Sequence, residues 1–399
     1  MVDHRANLLT LIDDAEIYQD VKIAGNLVLK GVRNNCAERY EAIKRIISNG
    51  DSVLEIGSNL GYFALRLAKE YPESVITSVE GGKAYATAQK YIYEQEKCKN
   101  VILVQGTITL EWLRLVEKSC LVFDHILLLS VIHHFPSSDV VEMCNILGKL
   151  TPSLIVEFPN ELEQNSCGEQ TRAILSEDNL QAWFAKERDE EIASFAVHTD
   201  PGVERKCVHF YDASFKRHGF RPFAICPRDD DGRSRYYGLG IKADRRGQKT
   251  RYFEKQNGDF RITENPLTQF GVSLIDLSIL GPILWPDSST LIKQFRELPR
   301  PVSDQVPWNY LYGSKGIFKI DDDEAIPRPL DSIKIEKWLL SLSEKSWELK
   351  DYNSDWLFRL PKKKQPLKNR IYNFLPAPVT KLWRFIKTWR VVRSTSGKA

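Results

Sequence analysis

The sequence has little of what marks secreted, disulfide-linked or metal-binding proteins. Its 399 residues include seven cysteines, an odd number with no C-x-x-C pair. This pattern argues against a disulfide framework or a zinc knuckle, and it predicts no metal site. The charged N-terminus lacks the apolar core of a signal peptide. The best apolar run, Val272–Trp285, is interrupted by Asp276 and Pro282 and is too short to span a bilayer. These absences predict a cytoplasmic protein.

Charge is distributed unevenly along the chain. The hydrophobic fraction of 42% and the charged fraction of 27% are those of a folded protein, and the net charge is only +3. Residues 356–399, however, hold twelve Lys and Arg and no Asp or Glu, so the rest of the chain carries nine more acidic than basic side chains. This asymmetry marks the basic end as a candidate contact region.

Short apolar strands alternate with amphipathic helices through the first half of the chain, which predicts a parallel sheet with helices on both faces. The five predicted strands are Val53–Ile56, Ser74–Val79, Val101–Val104, Phe123–Ser130 and Leu154–Phe158. A helix over Asn179–Arg188 and two adjacent strands, Ser194–Thr199 and Lys206–Tyr211, are predicted to follow. The closing pair would be antiparallel, so we expect a seven-stranded, mostly parallel α/β sheet of Rossmann-like type with an antiparallel last strand.

The composition divides the chain into five predicted segments. They are an irregular or helical lead-in (1–29), the α/β domain (30–213), a smaller mixed α+β region of open role (214–330), a helical segment and linker (331–361), and a basic amphipathic tail (362–399).

A glycine-containing turn follows the first predicted strand. The strand contains the acid Glu55, and Gly57 and Gly61 then lead into a helix. Glycine lets the backbone come close to a ligand, and the amides of a helix N-terminus favour a carboxylate. Glu80 ends the next strand, at the spacing where a carboxylate accepts bonds from ribose hydroxyls. Asn59 stands where a nicotinamide fingerprint would need its second glycine, which disfavours a pyrophosphate ligand.

This arrangement resembles the class I methyltransferase pattern, in which an acidic residue precedes G-x-x-x-G. The resemblance covers roughly residues 30–211 and implies S-adenosylmethionine as cofactor. Gln105-Gly106-Thr107 lacks the acid that the family often places near adenine, so the Thr107 hydroxyl is the candidate there. The predicted cofactor residues are Glu55, Gly57, Ser58, Asn59, Gly61, Glu80, Thr107 and Ser130.

The fourth strand ends in Ser130-Val131-Ile132-His133-His134-Phe135. It resembles the family's fourth motif, whose end lies beside the transferred methyl group, so Ser130 would line the methionine portion. Histidine titrates near neutral pH and suits proton removal, which makes His133 or His134 the candidate base. The alternative is catalysis by positioning alone. His125 is expected to pack in the core. Glu157 is expected either to face the cleft, together with residues 160–161, or to cap a helix.

Asp304, Asn309 and Asp321 have nearly the spacing of the catalytic loop of kinase-like phosphotransferases. Paired with a methyltransferase half, they resemble bacterial methyltransferase–kinase proteins that cap O-antigen chains. Ser303 stands where that family has a basic residue, and no glycine-rich phosphate loop lies upstream. We therefore favour a hairpin with Asx turns over a nucleotide site.

The tail interleaves aromatic and basic side chains around Trp383, Phe385 and Trp389. This composition is typical of a helix lying on an anionic membrane. A partner protein remains open as an alternative, a nucleic-acid contact is less favoured, and a solvated end with no partner is also open. Membrane binding would place the protein on the inner face of the membrane.

The leading functional hypothesis is methyl transfer to a glycan or small hydroxyl acceptor, with a phosphate oxygen as a variant. The first alternative is an RNA or protein methyltransferase. Methylation of base amino groups is disfavoured because N-P-P-Y is absent after the fourth strand. The second alternative is a catalytically inactive S-adenosylmethionine-binding module recruited by its tail.

Overall fold

The structure is a computed structural model. It describes residues 2–13, 15–118, 121, 123–160, 162–163, 174–197, 199–200 and 202–215, together with shorter stretches between 218 and 319. The chain divides into two compact units, Met1–Lys345 and Ser346–Ala399. The helix predicted after residue 331, the basic tail and the kinase-like residues Asp304, Asn309 and Asp321 lie outside the described residues.

The first elements lead into the sheet. They are helix α1 (His4–Ile12), strands β1 (Val21–Ile23) and β2 (Asn26–Leu29), and helix α2 (Cys36–Ile43). Helix α1 agrees with the irregular or helical lead-in that we expected, whereas the hairpin of β1 and β2 was not predicted. Its two-residue turn, Ala24-Gly25, has φ of 50° and 81°. Positive φ at both positions matches the twist of a tight hairpin.

The main sheet has seven strands in the order β5-β4-β3-β6-β7-β9-β8. Strands β3 to β7 are parallel, and β9 is antiparallel to both of its neighbours. Their bounds are β3 Ser52–Ile56, β4 Val75–Glu80, β5 Val101–Gln105, β6 His125–Leu129, β7 Ser153–Glu157, β8 Glu187–Ala196 and β9 Glu204–Tyr211. The last strand thus lies between the fifth and sixth, whereas the dinucleotide fold keeps the sixth beside the fifth. The predicted mostly parallel methyltransferase-type sheet is confirmed.

The sheet forms here because its central strands are buried on both faces. Every residue of β3, β4, β6 and β7 is buried, as expected for Val-, Ile- and Leu-rich strands covered by helices on each side. The helices that follow are α3 Tyr62–Glu70, α4 Lys83–Gln95, α5 Leu110–Lys118, α6 Val140–Leu150 and α7 Glu177–Phe184.

Two predicted boundaries near the end of the sheet are wrong. The helix predicted over Asn179–Arg188 ends at Phe184, where Ala185 adopts a left-handed φ of 51°. Strand β8 then begins at Glu187, seven residues before the expected Ser194. It is an edge strand whose first five residues are all exposed and all charged, so the apolar alternation that marks a strand is absent there.

Beyond residue 215 the described residues form two small antiparallel sheets. One is a four-stranded meander of β10 His218–Pro227, β11 Ser234–Lys242, β12 Lys249–Gln256 and β13 Asp259–Pro266. The other joins β14 Gly271–Ser273, β15 Tyr310–Gly313 and β16 Gly316–Lys319. The sequence pattern of this region predicts short strands at Arg235–Ile241, Thr250–Glu254 and Gly316–Ile320. They fall on β11, β12 and β16, except that Ile320 lies outside the described residues. Among the described residues, no helix is long and apolar enough to cross a membrane.

The second half of the chain also covers an edge of the main sheet. Residues 280–285 lie antiparallel to β5, where Gln105 N donates to Pro282 O at 2.9 Å and Leu284 N donates to Leu103 O at 2.8 Å. The Trp112 indole on α5 donates to Leu280 O at 3.1 Å. The edge strand is therefore paired rather than open to other chains.

Candidate functional site

A cavity of about 440 Å³ opens at the carboxyl ends of β3, β4 and β6, the place where open parallel sheets bind ligands. Eight predicted site residues line it: Glu55, Gly57, Asn59, Glu80, Thr107, Ser130, His133 and His134. The other two, Ser58 and Gly61, lie behind the turn. The Ser58 side chain is fully buried and hydrogen-bonded to Gln89, so only its backbone belongs to the loop.

The glycine turn is shaped by contacts that leave no room for a side chain at Gly57. Its φ is +72°, and an added Cβ would lie 2.6 Å from Val131 Cγ2. Gly57 N and Ser58 N both donate to Val79 O, at 2.9 and 3.1 Å. Asn59 follows with a left-handed φ of 54°. Its side-chain Oδ1 is buried without a hydrogen-bond partner and so offers an acceptor to a bound molecule.

Glu80 clamps the turn from the end of β4. Its Oε2 accepts from Asn59 N and its Oε1 from Gly82 N, both at 2.6 Å. Burial raises the pKa of this carboxyl, opposed by the backbone amides. Each oxygen keeps a free lone pair, so the carboxylate can still accept bonds from a diol in the cavity.

Glu55 acts mainly on the helix behind the turn. The side chain is buried, and its Oε2 accepts from Ala64 N at 3.0 Å. Ala64 lies in the first turn of α3, where amides lack partners within the helix. Burial raises the pKa of Glu55 to about 8, so it is largely protonated at neutral pH.

Ser130 lies where β6 meets a cluster of buried charges. Its φ is +58°, its hydroxyl donates to Glu157 Oε1 at 2.5 Å, and it accepts from Arg33 Nη1 at 2.9 Å. Arg33 and Arg39 both pair with Glu157. Arg205 binds Glu163 through two hydrogen bonds of 2.6 and 2.7 Å.

This arginine cluster (Arg33, Arg39 and Arg205) carries one more positive charge than the two glutamates neutralise. All three arginines line the cavity, whereas Glu157 and Glu163 are fully buried behind it. Glu157 therefore holds arginines instead of facing the cleft or capping a helix. The cavity wall beside Ser130 is positively charged.

The arginines, and Tyr18 and Gln19, which also line the cavity, were not among the predicted site residues. Arg33 lies 97 residues from Ser130 along the chain, and no local motif signals such a contact. The one available hint was Glu157, because a buried acid at a strand end needs a cation.

The two histidines form a short 3₁₀ helix, Ile132–His134, after β6. Their ring centroids are 4.1 Å apart. Burial, together with Arg205, His134 and Arg33, lowers the pKa of His133 to about 3. Burial and Arg205 also lower the pKa of His134. Both imidazoles are therefore neutral at pH 7. His133 Nδ1 is buried with no hydrogen-bond partner, so it is available to a bound molecule.

The strand order and the loop-built cavity define a Rossmann-like α/β protein with a methyltransferase-type sheet. No family model and no curated protein matches the chain, but solved structures do. The N-terminal domain of EvdMO1, crystallised in the presence of SAH and D-fucose, is 17% identical with a TM-score of 0.39; the match covers 53% of this chain and 97% of that domain.

The bifunctional kinase-methyltransferase WbdD is 16% identical with a TM-score of 0.40, and the match covers 84% of this chain and 86% of WbdD. A WbdD structure with an ordered C-terminal bundle matches over 97% of this chain and 96% of its own, with the same identity and TM-score. The strand order, rather than these similarities, carries the fold assignment.

Proposed function

We propose that the chain is an S-adenosylmethionine-dependent methyltransferase. The observation that carries this proposal is the order of groups along the cavity. Thr107 follows β5, Glu80 ends β4, the Gly57 turn follows β3, and Ser130 follows β6. Neighbouring strand ends thus present, in order, a hydroxyl, a carboxylate, a close-packed glycine and a polar wall. S-adenosylmethionine has an adenine, a ribose and an amino-acid portion in the same order.

The cavity residues fit S-adenosylmethionine, a cofactor that needs no phosphate-binding site. Thr107 would contact the adenine edge, and Glu80 would accept from the ribose hydroxyls. The glycine turn would let the chain pass close to the ligand. Arg33, the cation bonded to Ser130, would bind the methionine carboxylate. When bound, S-adenosylmethionine supplies an electrophilic methyl group.

We assign the acceptor to the part of the cavity lined by His133, His134, Thr199 and Arg205. The favoured acceptor is an oxygen of a glycan or small hydroxyl compound. A neutral histidine accepts the hydroxyl proton, although a lowered pKa weakens it as a base. The positive arginine cluster favours the phosphate variant, whose oxygen is already ionised. An assay that measures release of S-adenosylhomocysteine, with glucose or glucose 6-phosphate as the acceptor, compares the hydroxyl class with the phosphate class.

Two glycine variants test the cofactor proposal. Gly57→Ala should weaken binding of S-adenosylhomocysteine by about tenfold or more, a loss of about 1.4 kcal/mol, because the new Cβ meets Val131. Gly50→Ala is the matched control, since Gly50 also has positive φ (+97°) but no atom within 4 Å of an added Cβ. The positive φ should cost both variants about 1 kcal/mol of stability, and the clash with Val131 should cost Gly57→Ala more. Only Gly57→Ala should lose affinity in calorimetry. If well-folded wild-type protein binds neither S-adenosylmethionine nor S-adenosylhomocysteine, the proposal is wrong. Binding without turnover on any acceptor would instead favour the inactive module.

A further inference from the structure

Five side chains form a continuous hydrogen-bonded chain at the edge of the main sheet opposite the cavity. His125 Nε2 lies 2.9 Å from Asp51 Oδ2, and His125 Nδ1 lies 2.8 Å from Ser153 Oγ. The same hydroxyl lies 2.8 Å from His209 Nε2, and His209 Nδ1 lies 2.8 Å from Asp189 Oδ2. We call these five residues the polar chain. It connects the residue before β3 with β6, β7, β9 and β8.

The polar chain lacks one hydrogen for its four hydrogen bonds. The two ionised carboxylates at its ends only accept. The Ser153 hydroxyl supplies one hydrogen, and each neutral imidazole supplies one more. Three hydrogens cannot fill four donor–acceptor contacts, so with neutral histidines two acceptors would face each other at one of them. Such a contact is costly because three of the five side chains, His125, Ser153 and His209, are at least nine-tenths buried.

We propose that His125 and His209 share one additional proton, which makes the polar chain a pH-sensitive clasp between the β8–β9 hairpin and the parallel part of the sheet. The proton passes through Ser153. His209 Nε2 gives its hydrogen to Ser153 Oγ while the hydroxyl hydrogen moves to His125 Nδ1. Four bonds are filled before and after the transfer, and the net charge is unchanged. The extra proton stays on an imidazole because imidazolium, with an ordinary pKa of about 6.5, is less acidic than a carboxyl group, at about 3.9.

The surroundings favour one proton over two. Burial is the largest influence on His209 and lowers its pKa overall; Asp189 and Glu190 oppose this shift, and a charge on His125 adds to it. On the other side, Asp51 faces His125. The Tyr211 ring also lies beside His209, with the two ring centroids 5.8 Å apart. A second proton would place two buried cations on either side of one hydroxyl and leave that hydroxyl's hydrogen without a partner in the chain. The pair should therefore release its protons in two well-separated steps.

Two matched variants test the shared proton in the full-length protein. Asp189→Asn and Glu190→Gln each remove one negative charge beside His209. Only the amide introduced by Asp189→Asn, however, can donate the missing hydrogen to His209 Nδ1. Nitrogen-15 histidine NMR against pH should show the His125 and His209 signals of wild-type protein changing together as the one shared proton is released. Asp189→Asn should lower that release by about one pH unit or more, the scale of a lost charge partner, and Glu190→Gln by less than half as much.

The opposite results would overturn the proposal. If His125 and His209 titrate independently in wild-type protein, no proton is shared. Equal shifts in the two variants would mean that charge alone acts on His209. Ser153→Ala should uncouple the histidines into two separate transitions. If that variant does not fold, Asp189→Asn still decides, because the Asp189 side chain is 52% exposed and its replacement disturbs no core packing.

Discussion

At the scale of single residues, substitutions of the two cavity histidines distinguish base catalysis from catalysis by positioning alone. If His133 or His134 removes the acceptor proton, alanine at that position should slow methyl transfer by about 10²-fold. Cofactor affinity should change little. Because burial lowers the pKa of both imidazoles, a fall in the transfer rate caused by protonation of either one should lie below the ordinary histidine pKa of about 6.5. Single-turnover rates with the identified acceptor check both points. Full rates in both single variants would leave positioning as the source of the rate enhancement.

Glu55 should make the folded state less stable as pH rises. The carboxyl ionises at about pH 4.5 in the unfolded chain but at about pH 8 in the folded protein, where burial raises its pKa. Its stabilising contribution is full below pH 4.5 and is lost as pH rises to 8. Glu55→Gln keeps an acceptor for Ala64 N and cannot ionise. At about 1.4 kcal/mol per pKa unit, the variant should gain several kcal/mol over wild type across this range.

Thermal unfolding measures this difference. The melting temperature of Glu55→Gln relative to wild type should rise by about 5 °C or more between pH 5 and 8. Glu111→Gln, at an exposed acid in the first turn of α5, is the control and should show no such trend. A constant difference across the range would mean that Glu55 is already ionised in the folded protein.

Residues joined by a local motif were predictable, and residues joined only by folding were not. Gly57 and Glu80 follow from a strand–turn–helix pattern whose geometry is set within 30 residues. Arg33 and Arg205 reach the same cavity from distant elements, and their partners Glu157 and Glu163 carry no spacing rule. His125 lies in the core as expected, but nothing in the apolar strand around it predicted the polar chain.

At the scale of elements, the difference between local sequence patterns and long-range contacts also explains which strands could be predicted. The strands β3 to β7 each contain a short run rich in Val, Ile and Leu, which is how strands covered on both faces are recognised. Strand β8 begins with Glu-Arg-rich, exposed sequence, and its conformation comes from pairing with β9. The hairpin β1–β2 has three and four residues, too short for a periodic pattern to appear.

The contact between residues 280–285 and β5 should stabilise both halves of the chain. Leu284→Pro removes the amide that donates to Leu103 O and should cost about 1–3 kcal/mol in denaturant unfolding, because that carbonyl loses its partner. Leu284→Ala truncates the side chain but keeps the amide, so the difference between the two variants isolates the hydrogen bond. Gln105 precedes Gly106 and Thr107 in the cavity, so the proline variant should also weaken adenosine binding. Equal stability of the two variants would show that the pairing contributes nothing.

At the scale of the whole molecule, we predict that the basic tail holds the protein on anionic membranes. Twelve bases and no acids lie between residues 356 and 399, and each base near an anionic leaflet contributes about 1 kcal/mol. The acidic remainder of the chain would be repelled by the same surface, so the attraction has to come from the tail. Trp383, Phe385 and Trp389 would enter the headgroup boundary.

Liposome flotation of full-length protein and of a truncated variant tests whether the tail binds membranes. Full-length protein should float with anionic vesicles, and a variant ending at Pro361 should not, while both bind the cofactor equally because the cavity residues all precede residue 206. Salt should weaken the interaction, since the Debye length falls from about 10 Å at 0.1 M to about 3 Å at 1 M, but the aromatic contribution should persist. Replacing Trp383 and Trp389 by alanine should therefore remove the salt-resistant fraction and leave binding at low salt. If full-length protein does not bind anionic vesicles at low salt, the membrane prediction is wrong, and a partner protein or a nucleic acid becomes the better explanation, with a solvated end that has no partner still open.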